Sequence, residues 1–277
     1  MEATISVERL TEAANRLEGL PTSLTRLAAI VSSPDFSMDE VVEVIGFDPV
    51  LTATLLRAAN SAASGASREI STVREAVVRL GASSVSSLAM GATVGNRFRR
   101  ASQDANLWRH SVASTMACDV ITGRSRAWIP AAAATASLLH DVGKLVLAEA
   151  LTPNILNLLQ TVAKSDNLTE HEAERAVLMV DHGELGAIAA RAWELPEVII
   201  DGIALHHADG QSSFGFAVQL SNSVAHLMES ETVELPAVGA ARPLEALGLA
   251  VDDYVEIVLT TRTRWEKLAE AYGAQPS

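Results

Sequence analysis

The stretch "SLLHDVGKLVL" (residues 137–147) places an imidazole and a carboxylate, His140 and Asp141, inside an otherwise apolar run. Leu138, Leu139, Val142, Leu145, Val146 and Leu147 surround the pair and suit a buried helix. Burying a histidine beside an aspartate is costly unless something compensates both. The run therefore predicts a helix in the middle of a core and raises the question of what stabilises its polar pair.

Helix punctuation recurs on both sides of it. "SMDE" (37–40), "TVRE" (72–75) and "TEHE" (169–172) read as capping boxes, in which a hydroxyl accepts from the N3 amide and the glutamate reaches back. Asp48 and Thr152 precede Pro49 and Pro153, as an N-cap precedes a proline at the first helical position, where its missing N–H costs nothing. Gly81 after "AVVRL" reads as a helix C-cap. No alternating strand pattern stands out, and no Asn-Gly or Asp-Gly turn joins β-branched runs. Hydrophobic residues make up 48% of the 277 and aromatics only 4%, so Ala, Leu, Val and Ile must build the core. That mixture favours close-packed helices. The expected class is all-α.

Three segments follow from the pattern. Residues 1–100 hold short amphipathic helices with no ionisable cluster at their apolar positions. Residues 101–235 hold all seven histidines. Residues 236–277 are expected to be a linker and a docking helix near 251–271, with Tyr254, Ile257, Val258, Trp265 and Leu268 on its apolar face.

Charge and cysteine usage exclude several classes. The formal net charge is −13, from 34 acidic and 21 basic residues, so duplex nucleic acid is disfavoured by the whole-molecule field. Arg97, Arg99 and Arg100 are the one tight basic cluster, expected as a solvated helix end. Cys118 is the single cysteine, which rules out an internal disulfide and a Cys-based zinc cage and fits a reducing cytoplasm. "MEATISVERL" does not resemble a signal peptide, and no apolar stretch reaches membrane-span length. A soluble cytoplasmic protein is expected.

The chemistry is concentrated in the histidines. His140 precedes Asp141, His206 and His207 are adjacent after "PEVIIDGIAL", and His182 follows an aspartate where a helix opens. Imidazole and carboxylate donors suit Zn, Mn, Fe, Ni or Mg, and a helical bundle can gather them from separate helices. Lys144 lies one turn after His140, able to neutralise a phosphoryl oxygen or simply to pair with Asp141 at i,i+3. His171 and His226 are expected to be hydrogen-bonded core residues. Spacing alone leaves both a metal site and buried structural histidines open.

The same residues resemble a known family. "SLLHDVGKLVL" is similar to the His-Asp signature of the HD superfamily of metal-dependent phosphohydrolases. The order of motifs more closely resembles the HDOD domain, an HD-related output domain of bacterial signalling proteins. These motifs are "DPVLTATLLRAANSAASG" (48–65), "STVREAVVRLGASSV" (71–85), "LWRHSVAST" (107–115), "DHGELGAIAARAWELPEVIIDGIALHH" (181–207) and "AVQLSNSVAHLM" (217–228). The resemblance implies a helical lobe packed on an HD-like bundle. It carries the superfamily's metal pattern onto His110, His140 and Asp141, with Asn222 where a final aspartate is expected. The related HD-GYP phosphodiesterases add histidines that match His182, His206 and His207, but their Gly-Tyr-Pro segment is missing from "HHADGQSSFGF" (206–216). A neutral amide at position 222 weakens a metal site and implies that carboxylate bridging between two metals is lost.

Two functions are therefore expected. The first is a signal-transduction module acting through protein partners, its small-residue stretch "RAANSAASGAS" (57–67) a candidate contact surface, with a degenerate metal site in which a cation is weakly held or absent. The alternative is a metal-dependent phosphohydrolase acting on a nucleotide or cyclic dinucleotide, with Lys144 stabilising charge on phosphoryl oxygens.

Overall fold

A computed structural model describes residues 6–17, 20–33, 35–46, 49–60, 70–101, 105–130, 132–208, 212–229 and 240–271. Among the described residues every regular element is a helix. The chain begins with α1 (Val7–Arg16), α2 (Thr22–Ser32), α3 (Met38–Gly46), α4 (Pro49–Ala59), α5 (Val73–Leu80) and α6 (Ala82–Ala101). The histidine-bearing part follows as α7 (Ala105–Arg124), α8 (Ala132–Leu139), α9 (Gly143–Ala150), α10 (Pro153–Ser165), α11 (Glu170–Leu178), α12 (His182–Ala192), α13 (Glu197–Ala204) and α14 (Ser213–Glu229). The chain closes with α15 (Ala241–Ala246) and α16 (Val251–Ala271), the short α15 being an element the expected linker did not include.

The capping residues do what their chemistry predicts. Thr72 Oγ1 accepts from the Glu75 amide at 3.2 Å, and the Ser37 and Thr169 amides donate to Glu40 and Glu172 at 2.9 and 2.8 Å. Gly81 ends α5 at φ 80, in the left-handed region that favours glycine. Thr152 stands at the N-cap position of α10 ahead of Pro153 but makes no side-chain capping bond, and Asp48 lies outside the described residues. Asn60 ties the end of α4 to Ile70: its amide donates to the Ile70 carbonyl at 2.7 Å and accepts from the Ile70 N–H at 2.8 Å. Most of the small-residue stretch that Asn60 opens (61–67), and the side chains of Arg97, Arg99 and Arg100, are outside the described residues.

Helix α8 is the hub. All eight of its residues are buried, and it packs against α6, α7, α13 and α14. Alanine makes this possible, because small side chains let neighbouring backbones approach from every direction. Its hydroxyls are paired: Ser137 meets Ser221 of α14 at 2.9 Å, Ser221 accepts from Ser114 of α7 at 3.2 Å, and Thr135 meets Ser86 of α6 at 3.2 Å. Helices α2–α6 pack on one another and are joined to this bundle through α6 and α2. Helix α1 packs separately on α9 and α12, with the Trp193 indole donating to the Leu17 carbonyl at 3.2 Å. Tyr254, Ile257 and Val258 of α16 are buried, and α16 packs along α7 as its pattern predicts. No described helix is long and apolar enough to cross a membrane.

The run 137–147 departs from a single helix. α8 stops at Leu139, and His140, Asp141 and Val142 form a tight turn before α9. The Val142, Lys144 and Leu145 amides bond three residues back, to Leu139, Asp141 and Val142, which tightens the chain there. Gly143 explains why the break is tolerated. A Cβ at Gly143 would lie 1.9 Å from the His182 carbonyl oxygen and 2.7 Å from the Gly186 nitrogen, so α9 and α12 touch backbone to backbone.

Two outcomes test this packing. Gly143→Ala is expected to destabilise at or beyond the upper end of the ~1–3 kcal/mol typical of overpacking, while Gly123→Ala, with nothing within 4 Å of its Cβ, is neutral or slightly stabilising in thermal melts. Asp119 of α7 accepts from Ser84 at 3.2 Å, yet burial pushes its carboxyl up to about 6. Its folded value is above the unfolded one, so its favourable contribution is present below about pH 4 and is lost as pH rises through about 6. Asp119→Asn should therefore stabilise the protein at pH 8 by on the order of 2 kcal/mol and lose that advantage at pH 4, as read by urea melts at both values.

Candidate metal centre

The turn after α8 fixes the centre of the site. His140 Nδ1 donates to the Ser137 carbonyl at 2.7 Å, because a carbonyl can only accept. That hydrogen bond leaves the Nε2 lone pair pointing inward. His206, just past the end of α13, repeats the device with the Ile203 carbonyl at 2.7 Å. His182 opens α12, whose N-cap Asp181 accepts from the Glu184 amide at 2.9 Å. Its Nδ1 faces the Glu174 carboxylate of α11 at 2.7 Å, and Glu174 Oε2 also accepts from the His182 backbone N–H at 2.8 Å.

Inward-facing nitrogens then fall into two groups on either side of Asp141. His110 of α7 and His140 bring their Nε2 atoms to 3.2 Å, with Asn222 Oδ1 of α14 at 3.0 Å from His110. His182 Nε2 lies 3.2 Å from His206 Nε2 and 2.9 Å from His207 Nε2. Asp141 Oδ2 faces the first group, 3.5 Å from His140 and 3.8 Å from His110. Its Oδ1 faces the second, 3.1 Å from His182 and 3.7 Å from His206. Donor atoms of Asp141, His182, His206 and His207 lie within 4.8 Å of one another, as do those of His110, His140 and Asp141.

The imidazole spacings suit a divalent cation, with the Asp141 oxygens farther out, reaching 3.8 Å from a ring nitrogen. With metal–nitrogen bonds near 2.1 Å, neighbouring donors should be roughly 3.0 to 3.4 Å apart for right-angle to tetrahedral arrangements. Inward lone pairs at 3.2 Å repel one another unless a proton or a cation lies between them. Burial opposes the charged form of His182, but its bonds to Asp141 and Glu174 outweigh it and raise the imidazole to about 9. Burial and the charged His182 push His206 down to about 4, and burial with the neighbouring histidines lowers His207. Burial also lowers His140. Burial alone would raise Asp141, yet Lys144, His140 and His182 hold it well below the usual carboxylate range. A carboxylate held in its ionised range among imidazoles is a donor set suited to borderline divalent metals, provided His182 gives up a proton to the cation.

Every residue singled out from the sequence for metal binding thus reaches this cluster, Lys144 beside it. Lys144 Nζ lies 3.0 Å from Asp141 Oδ2 and 2.8 Å from Glu170 Oε2. Position 222 serves only the His110 side. Asp141 is the carboxylate that faces both sides. His171 and His226, expected in the core, are at the rim instead. The His171 ring stacks on His207 at 4.0 Å and the exposed His226 ring lies 4.5 Å from His110. Asp201 is exposed, and Asp209 is outside the described residues. The residue that sequence reasoning missed is Glu174, one of 34 acidic residues with no local signal of its own. A cavity of about 430 Å³ opens onto His110, Asp141 and Lys144.

Glu174 fixes the tautomer and direction of His182, so Glu174→Gln is expected to weaken divalent-metal binding about 10- to 100-fold. Calorimetric titration with Mn²⁺ or Zn²⁺ checks this, and unchanged affinity would mean that His182 is not a ligand.

Comparison with known proteins gives a consistent picture. The model of the HDOD domain matches residues 17–209. An uncharacterized protein of Treponema pallidum (strain Nichols) is 27% identical over 190 residues, covering 68% of this chain and 37% of that protein. The chain thus spans little more than a third of that relative's length. A crystal structure from Shewanella amazonensis SB2B, provisionally described as a phosphohydrolase, superposes with a TM-score of 0.68 at 22% identity over 94% of this chain and 98% of that one. One from Marinobacter aquaeolei VT8, provisionally described as a signal transduction protein, gives 0.75 at 20% identity over 96% of this chain and 65% of that one. These likenesses establish a shared fold. With the family model spanning most of the sequence, the chain belongs to the HDOD domain family.

Proposed function

We propose that this chain is a signalling module built around a divalent-metal centre that takes a phosphoryl group and passes its occupied state to a protein partner. The observation that carries this reading is the convergence of His110, His140, His182, His206 and His207 on the two oxygens of Asp141. A bound cation would supply positive charge, against which an anionic phosphoryl oxygen can lie. The chain's own residues do the rest. Glu174 and the backbone carbonyls of Ser137 and Ile203 orient the imidazoles, Asp141 joins the two halves, and Lys144 adds a cation at the edge of the cavity. The family and the provisional descriptions of its structural relatives support an output role. The buried lone cysteine, Cys118, fits a reducing cytoplasmic setting.

Asn222 favours binding over turnover. Asp141 offers an oxygen to each side, but the His182 side adds three imidazoles, whereas the His110 side adds two and a neutral amide. A cation on the His110 side would therefore be held more weakly than one on the His182 side, and chemistry needing both would be slow. A second reading, metal-dependent phosphoester hydrolysis, is favoured by the cavity that opens on His110, Asp141 and Lys144.

Elemental analysis after loading with Mn²⁺ or Fe²⁺ should find about one tightly held ion per chain, lost in His206→Ala, and Asn222→Asp should raise occupancy toward two. Absence of any retained or titratable cation would sink the metal reading. Rapid hydrolysis of bis-p-nitrophenyl phosphate by the loaded wild-type chain, abolished in His140→Ala/Asp141→Ala, would replace the signalling reading with the enzymatic one.

A further inference from the structure

The cavity beside the candidate metal centre is lined by two chemically different kinds of group. His110, Asp141 and Lys144 are donor and charged groups of the cluster. The remainder is walled by aliphatic side chains: Leu107 of α7, Leu147 and Ala148 of α9, and Leu156, Leu159 and Ala163 of α10. The other polar lining groups are largely committed. Glu170 holds Lys144 at 2.8 Å, Glu174 holds His182 at 2.7 Å, and the His226 ring lies against His110. Gln160 is the remaining uncharged polar side chain among the described lining residues.

That lining says what the cavity accepts. A nucleobase carries several polar edge groups and a stacking face. Binding one usually calls for aromatic or guanidinium surfaces and placed hydrogen-bond partners. The described lining contains no Phe, Tyr, Trp or Arg. Packing a base edge against leucines would leave its polar atoms unpaired, at a cost that an alkyl group does not incur. About 430 Å³ lies within the usual range for a small-molecule site.

We propose that the cavity selects phosphate monoesters of aliphatic alcohols, with the phosphate at the metal and Lys144 end and the alkyl chain between α9 and α10. This rests on the reading that the centre takes a phosphoryl group, and it replaces the nucleotide expectation with an amphiphilic ligand class. The alkyl chain gains from removal of apolar surface from water, independently of whether the ester is cleaved.

The test is calorimetry on the full chain loaded with Mn²⁺, using inorganic phosphate, then butyl, hexyl and octyl phosphate below their micelle concentrations, and AMP. Affinity should rise about fourfold for each methylene buried, the equivalent of ~0.8 kcal/mol, until the cavity is full. Octyl phosphate should bind more tightly than AMP. Leu156→Gln should flatten the series, and Ala163→Leu should end it at a shorter chain, both leaving inorganic phosphate affinity unchanged. If phosphate binds but chain length has no effect, or AMP binds more tightly than octyl phosphate, the aliphatic assignment is overturned while the metal centre stands. If the loaded protein binds none of the series, inorganic phosphate included, the phosphoryl reading fails and the assignment falls with it.

Discussion

The Asp141 carboxylate is the group on which the rest of the site depends. It is buried, held ionised against the cost of burial, and faced by Lys144 and by imidazoles from both sides. A lone buried carboxylate would take up a proton instead. Here the surrounding positive groups make the ion stable, and the ion in turn keeps His182 protonated or receptive to a cation. Removing Asp141 would leave two sets of inward nitrogens with nothing between them. The polar pair inside an apolar run is therefore compensated by groups from distant parts of the chain.

Backbone geometry delivers that carboxylate. Adjacent residues of a regular helix point about a hundred degrees apart, so an uninterrupted helix could not aim His140 and Asp141 at one point so directly. The tight turn after α8 solves this, and Gly143 lets the start of α9 press against the His182 carbonyl. In sequence the same Gly143 looks like an ordinary tolerated helix glycine. This is why the run reads as continuous. The information that it must break lies in α12, whose backbone occupies the space a side chain would need.

Much of the rest was legible for identifiable reasons. Capping boxes around Thr72 and Thr169 and the proline at 153 are local chemistry, and they mark helix starts without help from tertiary contacts. His140, Asp141, His182 and the double histidine stand out because such residues are expensive in an apolar neighbourhood. Glu174 could not be seen the same way, since its role exists only once α11 lies against α12. His171 and His226 were read toward the core for want of any neighbour in sequence that places them at the rim. The resemblance to the HD superfamily and its HD-GYP branch brought His110 and Asn222 into the donor list, but that Asp141 faces both groups of imidazoles needed distances.

The donors also have a consequence for how the protein holds together. They come from α7, the turn after α8, the start of α12, the turn after α13 and the middle of α14. A cation shared among them would act as a non-covalent cross-link, tying segments over a hundred residues apart. Any species that binds the folded chain and not the unfolded one adds to stability in proportion to the logarithm of its free concentration. The bundle's resistance to opening would then be set partly by the availability of metal around it.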